Sequence, residues 1–374
     1  MSGNSVDDDI EACPNLPPRA KPTSVHDLRI DDVRVIAALG DSITAAFGAN
    51  GVQRGDPPSM RNTMEDRGIS FSMGGDDGAF TLANFIQRFE PRVRGASIGS
   101  HRAEICYGVL CPPMQYHEND RLNAAQSGAM IPNLIAELEH LIRAMKSDSD
   151  INWASDFKSL KLAAVPSEQL LTIFIGNNDA CLGCAPGSGS TYLSPAAYEA
   201  TMRALLERIQ TAIPRVVVNI MMGFNVSQVY DLTVEDPYCQ GLRRAGTVFE
   251  CVCAFLPGPM GEANRQRMDV LTQQYNARLQ SLARFYNTHP RSDSFAVIVD
   301  PLLSNVRVKE WNLKFLSNSD CFHPAAEAHA LMAKGVWWNL FRPPTSKRTK
   351  LVPDEGIPVW CPGRADRIAT QPPE

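Results

Sequence analysis

The chain has 374 residues, 44% of them hydrophobic and 21% charged, with a formal net charge of -5. This is enough apolar material for a large buried core, and the lack of a composition break points to one domain, or one domain with arms. With a pI near 5.9 there is no basic stripe to neutralise phosphates, so nucleic acid is not expected as a partner, and no run of about 18 apolar residues offers a membrane span.

In chain order, Met1 to Glu11 is acidic and polar and shows no apolar core of a secretory signal. Val33 to Leu39 is a short, β-branched run closed by Gly40, which predicts a buried parallel strand. Val93 to Ile98 is a weaker strand candidate, and Leu170 to Ile175, Val216 to Met222 and Phe295 to Val299 repeat the first pattern. Between them, Met130 to Met145 places Leu134, Leu138, Leu141 and Met145 at helical spacing, and Pro195 to Ile213 and Arg265 to Tyr286 have similar character. Alternating strands and helices predict an α/β fold, a parallel sheet covered on both faces with ligands at the carboxyl ends of its strands. Trp337, Trp338 and Phe341 are expected to pack the last helix on that sheet.

Several motifs fall at those strand ends. Gly40-Asp41-Ser42 follows the first strand, where a glycine turn can raise a hydroxyl to the mouth of the sheet; alone it reads equally well as a helix cap. Gly128 lies just before the helix at Met130, where a free amide can serve an oxyanion, and Asn178 in Gly176-Asn177-Asn178-Asp179 follows another strand. In Asp320-Cys321-Phe322-His323 a carboxylate and an imidazole three residues apart can pair, leaving the second ring nitrogen for a nucleophile. Gly95-Ala96-Ser97-Ile98-Gly99 fits a nucleophile elbow but has a weak strand before it and no helix pattern after it, so Ser97 is not the expected nucleophile. Gly74 to Gly78 is expected to be a turn. His26, His101, His117, His140, His289 and His329 have no comparable partner and are read as solvated surface groups.

Ten cysteines, several closely spaced (Cys106/Cys111, Cys181/Cys184, Cys251/Cys253), suggest an oxidising compartment, in tension with the missing signal. Their spacing matches no standard zinc site, so disulfides or buried thiols are expected and metal is not.

Taken together, the blocks at Ser42, Gly128, Asn178 and His323, in that chain order, resemble the SGNH or GDSL hydrolases. Stretches such as Cys13-Pro-Asn-Leu, Val35-Ile-Ala-Ala-Leu-Gly-Asp-Ser, Phe71-Ser-Met-Gly-Gly-Asp, Asn178-Asp-Ala-Cys-Leu-Gly-Cys and Trp360-Cys-Pro look like the phospholipase B1 type of GDSL lipase, over about Cys13 to Cys361. The resemblance implies a flavodoxin-like three-layer α/β/α sandwich with a mainly parallel five-stranded sheet. An N-terminal arm (1–24), a hydrolase domain (25–343) and a tail packed on or tethered to it (344–374) are the expected divisions.

It further implies a metal-independent, cofactor-free serine ester hydrolase acting on phospholipids and lysophospholipids. Ser42 would be the nucleophile, His323 the base and Asp320 its orienting acid, with the Ser42 and Gly128 amides and the Asn178 side chain as oxyanion hole. An esterase for carbohydrate or small acyl esters is the alternative. An extracellular or secretory-pathway monomer touching lipid transiently is expected. The segments Ser100 to Asp120 and Gly183 to Ser190 depart from the pattern and are expected to shape the acyl pocket. The cysteine pairing cannot be deduced, though Cys13 with Cys361 would tie the two arms together.

Overall fold

A computed structural model describes residues 4–6, 10–52, 63–106, 111, 115–151, 168–184, 191–246, 250–288, 291–353 and 356–372. Its strands are β1 (Asn4–Val6), β2 (Val33–Gly40), β3 (Met64–Glu65), β4 (His101–Arg102), β5 (Glu168–Phe174), β6 (Val216–Met221), β7 (Phe295–Asp300) and β8 (Val359–Cys361). The α-helices are α1 (Leu82–Phe89), α2 (Leu134–Ser147), α3 (Asn177–Leu182), α4 (Pro195–Ala212), α5 (Gln228–Thr233), α6 (Pro237–Arg244), α7 (Gly258–Thr288) and α8 (Ala326–Leu340).

The long apolar runs became the central sheet, ordered β2-β5-β6-β7 and parallel throughout. Strands β5, β6 and β7 are buried along their whole length, which explains why they read as continuous rather than alternating apolar runs. Helices α2, α4 and α7 pack together along one face; α1 and α8 cover the other. The expected stripe Leu134, Leu138, Leu141 and Met145 is buried. Trp337 is fully buried against Phe85 and Phe89, and Phe341 packs edge-on against it. The three-layer α/β/α sandwich is therefore the fold.

The sheet has four strands among the described residues, not five. The segment expected to supply the fifth, 93–98, touches β2 only through a bridge between Val35 and Arg94, and Asn123 makes a second bridge to Ala38. Gly95 sits between them at φ +113, outside the extended region, so the edge of β2 is shared by two short irregular segments.

Five disulfides link Cys13–Cys361, Cys106–Cys111, Cys181–Cys251, Cys184–Cys253 and Cys239–Cys321. The first joins the two arms as the sequence suggested, beside the antiparallel pairing of β1 with β8. Among the described residues no helix is long and apolar enough to cross a membrane.

Candidate active site

Strand β2 ends in a turn that only glycine can make. Gly40 has φ +159, and a Cβ there would lie 2.5 Å from the Phe174 carbonyl oxygen and 2.6 Å from Thr44 Oγ1. The chain can therefore turn tightly after the sheet and bring Ser42 to its carboxyl edge. Beneath the turn, the Gly40 amide donates to Glu137 Oε2 of α2 at 2.9 Å. Burial pushes the Glu137 carboxyl well above its usual range, which favours its uncharged form. Asp41 accepts from the Ile43 amide at 3.0 Å, and burial raises its pKa to about 6.

Residues 281 positions apart meet above that turn. His323 Nε2 lies 2.7 Å from Ser42 Oγ, and its Nδ1 lies 2.5 Å from Asp320 Oδ2. The other Asp320 oxygen accepts from the Phe322 and His323 amides at 2.8 and 3.0 Å, so the carboxylate is held by its own loop. Cys321, at φ +56 inside that loop, is tied by its disulfide to Cys239 of α6. The Phe47 ring packs against the imidazole with centroids 4.5 Å apart. Burial disfavours the imidazolium, but the Asp320 carboxylate, helped by Glu250 and Asp41, outweighs that and leaves the His323 pKa above 6.5.

The other two expected blocks converge on the same place. Asn178, at the start of α3, donates from Nδ2 to the Ala129 carbonyl at 2.8 Å, which sets its carboxamide beside Gly128. Gly128 has φ +82, and a Cβ would approach the Cys106 carbonyl oxygen to 2.6 Å. The amides of Ser42 and Gly128 have no hydrogen-bond partner among the described residues. Such an arrangement can take a proton from a hydroxyl at one end and face a developing oxyanion at the other.

Sequence reasoning missed the supports. Arg67, fully buried, pairs with Glu65 at 2.7 Å and donates to the carbonyls of Asn123 and Ala125, while Ser127 donates to Glu65 at 2.5 Å. This network fixes the segment leading to Gly128. Asp179 accepts from the Ile131 amide at 3.1 Å, joining α3 to the same segment, and burial raises its pKa to about 7. An acid on the apolar stripe of α2, Glu137 between Leu134 and Leu138, was the one visible hint.

The expectation of solvated histidines fails for most of them. His329 is buried and accepts from the Phe71 amide at 3.2 Å, and burial, then the nearby His323, lowers its pKa to about 3. It lies on the inward side of α8, whose faces are nearly all apolar, so periodicity gave no warning. His26 contacts Thr370 Oγ1 at 2.8 Å, His101 pairs with Asp120 at 3.0 Å and half-buried His140 stacks on Tyr116; His117 is exposed, and His289 lies outside the described residues. Ser97 is fully buried and donates to the Arg67 carbonyl at 2.9 Å, a structural role.

Among the described residues, Glu250, Asp320 and His323 form the one group of acids and histidines whose ligating atoms approach within 4.8 Å of each other. Both His323 nitrogens are already engaged in this group, Nε2 by Ser42 and Nδ1 by Asp320. An apolar crevice opens beside the triad, lined in part by Ile43, Phe224, Trp311, Phe315, Phe322 and Pro324. Ile43 follows Ser42, and Phe322 and Pro324 flank His323. Parts of the two segments expected to shape this region, 107–110, 112–114 and 185–190, lie outside the described residues.

The family model for GDSL-like lipase/acylhydrolase matches residues 36–336. "Phospholipase B1, membrane-associated" of Rattus norvegicus is 29% identical over 358 residues, covering 92% of this chain and 22% of its own. The Homo sapiens protein of the same description is 27% identical over 363 residues, 95% of this chain and 23% of its own. The chain thus spans about a fifth of the length of these relatives. Among solved structures, an extracellular lipase from Streptomyces rimosus aligns over 79% of this chain and 95% of its own, at 15% identity and a TM-score of 0.32.

Proposed function

The chain belongs to the GDSL-like lipase/acylhydrolase family and is a carboxylic ester hydrolase, and from that premise we propose that it releases fatty acids from phospholipids and lysophospholipids through an acyl-enzyme on Ser42. His323 takes the Ser42 proton as the oxygen attacks the ester carbonyl, and Asp320 holds the ring and stabilises the imidazolium. The Ser42 and Gly128 amides and the Asn178 side chain receive the oxyanion, each donor contributing about 3 kcal/mol in the transition state. His323 then returns its proton to the leaving alcohol. A water deprotonated by the same ring attacks the acyl carbonyl, and the acid departs with Ser42 regenerated.

The observation that carries this reading is the Ser42–His323–Asp320 chain, 2.7 and 2.5 Å long, facing the Gly128 and Asn178 segment. A fatty substrate is favoured by the apolar crevice beginning at Ile43 and Phe322, and by the phospholipase B1 relatives. Contact with a lipid surface would fall on the turn after Glu250 and the start of α7, where Val252 and Met260 are 62% and 63% exposed. The five disulfides fit a protein of the secretory pathway or cell exterior.

The test is fatty-acid release from phosphatidylcholine and lysophosphatidylcholine in a calcium chelator, by the protein and its Ser42→Ala variant. Release from both lipids that disappears in the variant is expected. Cleavage of short-chain esters with neither lipid touched would replace the lipid substrate with a small acyl or carbohydrate ester.

A further inference from the structure

We propose that Glu250 is a second acid of the catalytic imidazole, a positioning residue that shares with Asp320 the task of stabilising the His323 imidazolium. The proposal rests on the reading of His323 as the general base. Its carboxylate approaches the ligating atoms of both Asp320 and His323 within 4.8 Å, although 70 residues or more separate it from them in sequence.

The placement of Glu250 is built into the fold by covalent links. Glu250 immediately precedes Cys251, which is bonded to Cys181 of α3, the helix that begins with Asn177 and Asn178. Two residues on, Cys253 is bonded to Cys184, just past the end of the same helix. Asn264 of α7 donates to the Cys253 carbonyl, and Arg265 donates to the Ala254 carbonyl at 2.7 Å. The acid is thus stapled to the element that carries the Asn178 oxyanion donor. On the other side, Cys321 is bonded to Cys239 of α6, so the loop carrying His323 is anchored independently.

The charged and titratable groups around His323 come from four elements: Asp320 on its own loop, Asp41 on the turn after β2, His329 on α8 and Glu250 before the 3-10 turn Val252–Phe255. Burial disfavours charge on the ring, and His329 is held neutral by its own burial. Asp41, with a pKa of about 6, is itself close to protonation. Two carboxylates, Asp320 in direct contact and the half-buried Glu250, therefore oppose the burial of the imidazolium, as a nearby negative charge favours the cationic form.

Removing the Glu250 charge lowers the His323 pKa, so the neutral base persists to lower pH. The acid limb of kcat/KM for p-nitrophenyl butyrate moves down by about one pH unit in Glu250→Gln. The weaker base also lowers the plateau rate, by about threefold. Glu250→Asp, which keeps the charge, holds the limb near that of the wild type, and Glu250→Ala shifts it as the glutamine does. An acid limb of Glu250→Gln or Glu250→Ala superimposed on the wild type overturns the proposal.

Titration of the His323 ring by NMR in a Ser42→Ala background, with and without Glu250→Gln, makes the same test without turnover. A lowered midpoint in the double variant supports the role, and an unmoved midpoint overturns it. If the wild-type protein cleaves no ester, the hydrolase mechanism fails while this titration still decides whether Glu250 acts on the ring.

Discussion

At the residue scale, the site depends on side chains whose ionisation is set by burial. In the proposed mechanism neutral His323 is the base, and its pKa is raised above 6.5 by the Asp320 carboxylate against the effect of burial. Activity is therefore expected to fall as pH drops through that raised value, with half-maximal kcat/KM above pH 6.5 in a pH–rate profile. Glu137 offers a separate check. Because burial favours the uncharged carboxyl and one oxygen accepts the Gly40 amide, Glu137→Gln preserves the shape and that hydrogen bond. It should retain nearly full stability and activity, whereas Glu137→Ala, which strands the buried amide, should cost about 2 kcal/mol in denaturant unfolding. Asn178→Ala should reduce kcat by about a hundredfold with little change in KM, the pattern of a donor used in the transition state.

At the element scale, disulfides join the loops that carry the site. Cys239–Cys321 fastens the Asp320–His323 loop to α6 across 82 residues, and the Cys181–Cys251 and Cys184–Cys253 pairs staple α3 to the turn after Glu250. Replacing Cys239 and Cys321 together by serine should destabilise the protein by about 4 kcal/mol in the chain-entropy account, measured as a lowered denaturation midpoint. A larger fractional loss of esterase activity than of folded protein would show the loop losing its position first. The strands and helices themselves needed little beyond their pattern. All four runs ending at Gly40, Phe174, Met221 and Asp300 were legible because burial on both faces demands unbroken apolar sequence. The fifth was not, because an edge shared by 93–95 and 122–124 leaves no periodicity to read.

At the scale of the whole molecule, the arms close on the sandwich. Cys13 bonds Cys361, Trp337 Nε1 donates to the Trp360 carbonyl at 2.6 Å, and the Ile368 and Ala369 amides donate to Leu28 and Leu340. Exposed Val252 and Leu256 lie on the segment that follows Glu250, and Met260 on the first turn of α7, with Arg243 over the Phe255 ring at 5.0 Å. Basic side chains beside exposed apolar ones suit a lipid interface. Combined Val252→Asp and Met260→Asp should weaken binding to phosphatidylcholine vesicles by about tenfold in a flotation assay. Hydrolysis of a dissolved short-chain ester by the same variant reports whether the site is still assembled.

The candidate residues Ser42, Gly128, Asn178, Asp320 and His323 were legible in the sequence because each lies in a short local motif at a predicted strand or helix end. The layered α/β architecture followed likewise from the alternation of buried strands and amphipathic helices. Their supports could not be named. Glu65 with Arg67, Glu137 under Gly40, Asp179 on Ile131, His329 behind Phe71 and Glu250 beside His323 are ordinary polar residues in the chain. Their roles arise from burial and from contacts across long sequence distances. Desolvation raises the pKa of a carboxyl and lowers that of an imidazole, and that desolvation exists only once the chain has folded around them.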